Sequence, residues 1–323
     1  MSDAGSQGAL PRFRIALDPP DLRPHHAGNT GVPGFTTLDS GQPGPHVVIV
    51  GLTHGNEYAG AIVLDRMLRA GTLPLRGRLT LGFANLAAFA RFDPRQPTAS
   101  RFVEEDMNRV WDPALLDGQR RSLELDRARE MRPIIESADV LLDLHSMLWP
   151  SDPLILSGPS AKGRRLAKAL GSPSLVVADR GHASGPRLID LPAFADETTP
   201  RAACLVEAGQ HWDRQAVEVS SACVAGLLGH FGLAPPAPPA PTAPVFAEVT
   251  LAVTAQSSGF AFTQSFRGGD VLPRRNTLIA VDGMTEIRTP HDDCLLVMPS
   301  LRPSRGHTAV RLARFLPPDA ACA

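Results

Sequence analysis

A histidine and a glutamate stand three residues apart in "THGNE", where His54 and Glu57 follow the apolar run 46–50. The short run, closed by a glycine, is typical of a buried parallel strand. Ligands of open α/β sheets bind at the carboxyl ends of such strands, so the pair could bind a metal ion. The simpler interpretation is a polar turn that begins the next helix. A catalytic zinc site usually takes three protein ligands, so the metal hypothesis requires a second histidine.

The segment "DVLLDLHS", residues 139–146, supplies that histidine. His145 follows a mostly apolar run and stands where the predicted strand should end. A single histidine there is more commonly packed or at the surface, but three such residues at strand ends together indicate a metal site. Two imidazoles and one carboxylate suit zinc best among the divalent ions, so we expect one zinc ion per chain. The other eight of the ten histidines, including His46 and His211, are interpreted as ordinary structural residues.

A third strand-like segment, "AACLVEAGQH", carries Glu207 near its carboxyl end. A buried carboxylate without a partner is costly, so its place in an apolar run requires a reason. Zinc hydrolysis needs a general base near the attacking water, and Glu207 is the candidate. The alternative is an edge strand on which Glu207 faces solvent.

The segment "RFVEEDMNRVW", residues 101–111, concentrates arginines, acids and an amide in a short span. By composition alone it is a solvated polar loop. Beside a metal site its residue types gain roles, because arginine binds carboxylates in a bidentate manner and can stabilise an oxyanion. An aspartate could orient a metal-bound histidine through the second ring nitrogen.

The elements around these segments alternate between short apolar runs and helical periodicity. This alternation predicts an α/β fold with a central mixed, mostly parallel sheet flanked by helices. We predict a catalytic α/β domain over residues 1–232 and a proline-rich linker over 233–246. Short strand-like runs broken by turn residues follow, and they predict a small C-terminal β domain over 247–323.

Composition excludes several classes of function. The net charge of -1 over 323 residues argues against a nucleic-acid partner. No apolar run approaches the length of a membrane helix, and no signal peptide is evident at the amino terminus. The four cysteines are scattered and form no C-x-x-C pair, as expected of reduced thiols. We therefore expect a cytoplasmic protein with a small-molecule partner and no membrane partner; it could form a homo-oligomer.

Four motifs in chain order, "HGNE", "DMNR", "DLHS" and "VEAGQ", resemble the succinylglutamate desuccinylase/aspartoacylase family. These proteins are zinc amide hydrolases related in fold to the zinc carboxypeptidases. The resemblance covers most of the chain, including the small C-terminal β domain, where "GGDVLPRRNTLIAVDG" and "TPHDDCLLVMPS" are similar to family segments. It implies a zinc-carboxypeptidase-like arrangement of the predicted α/β fold.

The resemblance also implies a role for each motif residue. The implied zinc ligands are His54, Glu57 and His145. Glu207 would activate the water and later protonate the leaving amine, and Arg101 would stabilise the oxyanion. Asn108 and Arg109 would bind the carboxylate of the amino-acid part of the substrate, and Asp106 would contact His54.

One departure from the family concerns the substrate pocket. Aspartoacylases use a tyrosine of the C-terminal domain near the substrate carboxylate, whereas the single tyrosine here, Tyr58, directly follows a ligand. N-acetylaspartate is therefore not the expected substrate, and Arg187 and Arg201 are both candidates for a second anion contact. We predict a zinc-dependent deacylase that cleaves the amide bond of a small N-acyl amino acid. The alternatives are a metallocarboxypeptidase acting on short peptides and a non-catalytic binding protein.

Overall fold

The computed structural model of the protein describes residues 13–182, 184–239 and 242–317. Its main feature is an eleven-stranded mixed sheet with the strand order β1-β3-β2-β4-β7-β5-β6-β8-β14-β13-β10, beside a three-stranded antiparallel sheet β12-β11-β9. The strands are β1 Phe35–Asp39, β2 His46–Gly51, β3 Arg78–Phe83, β4 Val140–Met147, β5 Leu154–Leu156, β6 Leu175–Ala178, β7 Ala202–Gln210, β8 Val245–Thr254, β9 Phe260–Phe262, β10 Val271–Leu272, β11 Leu278–Asp282, β12 Thr285–Arg288, β13 Cys294–Val297 and β14 Thr308–Phe315. The predicted α/β fold is confirmed.

Three neighbouring strands, β2, β4 and β7, run parallel at the centre of the main sheet. All residues of β2 and β4 are buried, which explains why both read as continuous apolar runs. The carboxyl ends of the three strands meet at one edge of the sheet. This edge is where the sequence analysis placed its candidate ligands and base.

Helices cover both faces of the sheet. They are α1 Ala59–Ala70, α2 Leu86–Phe89, α3 Pro113–Leu116, α4 Leu123–Glu136, α5 Ala161–Leu170, α6 Pro192–Ala195 and α7 Arg214–His230. Helix α1 ends at Gly71, whose φ of 63° is the left-handed conformation that glycine adopts without strain. Ser122 caps α4 by accepting a hydrogen bond from Leu125 N–H. None of the helices in the described ranges is long and apolar enough to cross a membrane.

Two hydrophobic cores lie on opposite faces of the sheet, because alternate side chains of a strand point to opposite sides. The first core packs α1, α5 and α7 onto one face and contains Leu142 and Leu144 of β4. The second core packs α4 onto the other face and contains Leu141 of β4 and Leu205 of β7. By the same alternation, His145 and Glu207 share the face of the second core.

The C-terminal region extends the main sheet and adds the small one. Strand β8 pairs in parallel with β6 through residues 245–248 and antiparallel with β14 along most of its length. A third core lies between these strands and the small sheet. The predicted division into domains and linker stays a prediction. Residues 1–12 and Cys322 lie outside the described ranges, and the other three cysteines are buried free thiols.

Candidate active site

The three predicted ligands meet at the carboxyl edge of the central strands. Glu57 Oε1 lies 2.7 Å from His54 Nδ1, and Glu57 Oε2 lies 3.0 Å from His145 Nδ1. One ligand atom from each residue falls within 4.8 Å of the other two. All three side chains are buried, with residue exposures of 2–4%. The structure therefore brings together residues that are 91 positions apart in the chain.

An aspartate oxygen lies within hydrogen-bond distance of the second ring nitrogen of each histidine. His54 Nε2 lies 2.9 Å from Asp106 Oδ1, which is the contact expected from the family resemblance. His145 Nε2 lies 2.8 Å from Asp143 Oδ2, and the hydroxyl of Thr53 donates to the other oxygen of Asp143 at 2.9 Å. A carboxylate at the far nitrogen fixes the ring orientation and tautomer of a metal-binding histidine. The sequence analysis missed Asp143, although its i, i+2 spacing to His145 places both on one face of β4.

The charges of the group fit a divalent cation. Three carboxylates surround the two imidazoles: those of Glu57, Asp106 and Asp143. Two guanidiniums face them: Arg101 donates to Glu57 at 2.9 Å and to Asp106 at 3.2 Å, and Arg109 lies 4.0 Å from Asp106. With both imidazoles neutral, the carboxylates still outnumber the guanidiniums, so the group carries the negative charge that attracts a cation. The donor set of two imidazoles and a carboxylate suits zinc.

The pKa shifts of Glu57 and His145 also favour a positive charge at this site. Burial opposes charge on Glu57, but the two imidazoles outweigh it and hold the pKa of Glu57 well below its usual value. Burial also opposes protonation of His145, but Asp143 and Glu57 raise the pKa of His145 well above its usual value. The site is thus arranged to hold positive charge between carboxylates.

Glu207 lies beside this group, and one of its two carboxylate oxygens is unpaired within the part of the chain that the structure describes. It is directly opposite His145 in the β4–β7 register, and it is 7% exposed. Within the described residues, no protein atom hydrogen-bonds its Oε2. Burial, reinforced by the charge of Glu57, raises the pKa of Glu207 to about 8. A carboxyl group with this pKa can both accept and donate a proton near neutral pH.

The predicted substrate-binding residues line the same cavity, whose volume is about 330 Å³. Arg101 is 36% exposed at its side chain and bonded to Glu57. Asn108 is buried; its amide oxygen accepts from Leu188 N–H at 2.8 Å. Arg109 donates to its neighbour's carbonyl at 2.5 Å, and burial lowers the pKa of Arg109 to about 10.

Several cavity residues were not found by the sequence analysis, among them the pair Arg311 and His182. Arg311 comes from β14, and its side chain is 3% exposed. It donates to the ring of His182, and its Nε lies 3.5 Å from Asp179. Burial, with Arg311 next in size, lowers the pKa of His182, so its ring is neutral and accepts. No motif surrounds Arg311, so only the pairing of the last strand brings it here.

The two arginines that the sequence analysis proposed as a second anion contact lie in different parts of the fold. Arg187 lines the cavity, but its guanidinium is paired with Asp179 at 2.8 and 2.9 Å and with Asp190. Arg201 precedes β7, so it lies at the opposite end of that strand, where it donates to the carbonyl of residue 136. Arg201 is therefore ruled out as a contact at this site. Tyr58 is buried and donates to Leu17 O, away from the cavity.

Known proteins resemble this chain in the sequence of a catalytic domain and in fold. A model of the succinylglutamate desuccinylase/aspartoacylase catalytic domain matches residues 43–228. The fold is similar to succinylglutamate desuccinylase from Vibrio parahaemolyticus (TM-score 0.67, 17% identity, covering 88% of this chain and 87% of that one). It is also similar to succinylglutamate desuccinylase/aspartoacylase from Rhodobacter sphaeroides (TM-score 0.65, 19% identity, covering 88% and 89%).

A third similar structure is the product-bound ectoine utilization protein EutE from Ruegeria pomeroyi (TM-score 0.64, 16% identity, covering 87% of this chain and 88% of that one). No curated protein sequence matches the chain. The identities are low, so these structures establish the fold, whereas the family model covers more than half of the 323 residues. The chain therefore belongs to the succinylglutamate desuccinylase/aspartoacylase family, a family of deacylating hydrolases.

Proposed function

We propose that the protein is a zinc-dependent hydrolase that cleaves the amide bond of a small N-acyl amino acid. The observation that carries the proposal is the convergence of His54, Glu57 and His145 beside Glu207, a buried carboxylate with an unpaired oxygen. The three converging residues would hold the ion. Zinc bound there would polarise the substrate carbonyl and acidify water.

The side chains of the protein supply the remaining steps. Glu207 takes a proton from the attacking water and passes it to the leaving amine nitrogen as the amide C–N bond breaks. Arg101 stabilises the negative charge that develops on the carbonyl oxygen. Asp106 and Asp143 hold the two imidazole rings in place through the nitrogens that do not face Glu57.

The amino-acid part of the substrate binds at the cationic wall of the cavity. Asn108 and Arg109 contact its carboxylate, as the family resemblance implies. Arg311, which comes from the C-terminal region, lines the same cavity and would be a second contact for the substrate carboxylate in a chain without the family's tyrosine. Both guanidiniums are largely buried, which strengthens their attraction for a carboxylate relative to an exposed arginine.

The first test compares metal content with activity. We expect about one zinc per chain, lost in His145→Ala, and hydrolysis of N-acyl amino acids but not of short peptides. Glu207→Gln should keep its zinc while kcat falls by roughly 10²- to 10⁴-fold. Glu218→Gln, at an exposed glutamate of α7, is the matched control and should be fully active. Full activity in Glu207→Gln would refute the mechanism, and faster cleavage of peptides would favour a carboxypeptidase.

A further inference from the structure

A buried serine–histidine pair lies beside the candidate metal site and has no part in the steps above. Ser146 is the last but one residue of β4, and His211 directly follows β7. The two residues are 4% and 2% exposed. Ser146 Oγ lies 2.8 Å from His211 Nδ1, and His211 N–H donates to Met147 O at 2.9 Å. The pair is therefore fixed by both side chain and backbone.

The hydrogen bonding of the pair determines where the ring proton lies. In the described part of the chain, the Ser146 hydroxyl has a single hydrogen-bond partner, His211 Nδ1, and donation to that nitrogen is the arrangement that pairs the hydroxyl proton within the protein. Burial lowers the pKa of His211 to about 4, so the ring is neutral near neutral pH. A neutral imidazole that accepts at Nδ1 carries its proton on Nε2. Nε2 has no partner among the described residues, and the ring lines the cavity.

The side chains around this N–H donor differ from those around Arg109. The ring of His211 packs edge-on against Trp212 at 5.3 Å, and Trp212 belongs to the first core. Leu148, which also lines the cavity, packs against the same core. Arg109, in contrast, stands between residues of the second core, Met107 and Val110. The cavity wall at His211 therefore differs in chemistry from the wall at Arg109 and Arg311: the first offers a neutral donor near apolar side chains, and the second carries guanidiniums.

We propose that Ser146 orients His211 so that its Nε2–H donates a hydrogen bond to an uncharged oxygen of the substrate's acyl group. The inference rests on the proposed function, which puts the amino-acid carboxylate at Arg109 and Arg311. His211 is then a specificity-determining residue that contacts substrate, and Ser146 is a positioning residue that acts through it. A hydroxyl, keto or amide oxygen on the acyl chain would satisfy the donor.

The alternatives to an uncharged oxygen are less favourable at this wall. An alkyl group would remove water from the N–H without replacing its hydrogen bond, which leaves a buried donor unpaired. A second carboxylate would bring a full charge against one neutral donor and the apolar side chains of Met147, Leu148 and Trp149. An acyl group with a neutral oxygen avoids both costs.

The test uses one amino acid with five acyl groups on the zinc-loaded protein. The acyl groups are 2- and 3-hydroxybutanoyl, their counterparts with methyl in place of hydroxyl, and succinyl. We expect the better hydroxyacyl substrate to exceed its methyl counterpart in kcat/KM by roughly ten- to hundredfold. This ratio should fall close to one in His211→Phe and recover in part in His211→Gln, which keeps an N–H donor. Ser146→Ala should reduce the ratio mainly through KM, and Ser220→Ala, at a buried serine of α7, should leave it unchanged.

Several outcomes would overturn the inference. An equal loss for all five acyl groups in His211→Phe would place His211 at the scissile bond or in folding. A wild-type preference for the methyl or succinyl substrate would show that the wall does not select a neutral oxygen. Calorimetric binding of the free hydroxybutanoic and methylbutanoic acids gives a readout without turnover. If no substrate is cleaved but His211-dependent binding of the hydroxy acid persists, the proposed function fails and the recognition stands.

Discussion

Replacing Asp143 by asparagine should weaken metal binding without removing a ligand. Asp143 is fully buried and accepts from His145 at 2.8 Å and from Thr53 at 2.9 Å. An asparagine oxygen can still accept from the ring, so the substitution removes charge and leaves the shape nearly unchanged. A hydrogen bond to a charged partner contributes about 1.5–3 kcal/mol and a neutral one about 0.5–1.5 kcal/mol. The expected loss is therefore about 1–1.5 kcal/mol, or up to about tenfold in zinc affinity.

The assay is a competition titration against a zinc chelator at one neutral pH, with circular dichroism to confirm the fold. Asp139→Asn is the matched control, because Asp139 lies at the other end of the same strand and accepts from His46 N–H at 2.8 Å. The control should keep wild-type zinc affinity. Loss of orienting carboxylates at other metal sites costs about 10- to 100-fold in affinity, so the expected value is at the low end. Unchanged affinity in Asp143→Asn, or an equal loss in the control, would refute the reasoning.

Three further predictions concern stability. Burial lowers the pKa of His46 in the folded protein, so below about pH 6.5 the unfolded chain binds more protons than the folded one. The wild type should therefore lose stability relative to His46→Gln as the pH falls. Parallel curves of unfolding free energy against pH for the two proteins would contradict this. A Cβ at Gly60 would meet the Cβ of Leu144 at 2.6 Å, so Gly60→Ala should cost about 1–3 kcal/mol in urea unfolding, and a neutral effect would show that α1 can shift. Arg187→Met would remove the bidentate partner of the buried Asp179 and the partner of the half-buried Asp190, and it should cost about 3 kcal/mol. Arg201→Met removes a hydrogen bond to a backbone carbonyl and should cost far less, and equal losses in thermal unfolding would refute the buried pairing.

Much of the candidate site could be predicted because it depends on local pattern. The apolar runs before His54 and His145 identify strands, and parallel strands carry their carboxyl ends to one edge. The prediction of a contact between Asp106 and His54 came from the family resemblance, and the 2.9 Å distance confirms it. The catalytic and substrate-binding roles of Glu207 and its neighbours stay predictions until the variants are measured.

Other features were missed because they depend on pairing between distant segments. Asp143 stands within a mostly apolar strand, and only the positions of Thr53 and the imidazole show how its burial is compensated. Arg201 was a candidate anion contact by residue type, but β7 carries it to the wrong end of the sheet. His211 was interpreted as an ordinary histidine, because nothing in its neighbourhood along the chain reveals a free ring nitrogen in a cavity.

The sequence by itself determined the fold class, the strand ends and the residue types that can bind a metal ion there. Those features follow from periodicity and from the chemistry of single side chains, which neighbouring residues express. The tertiary structure alone decided which distant residues line the same cavity, Arg311 and His211 among them. Strand order and register set those distances, and they are fixed by the joint packing of two cores rather than by any local pattern.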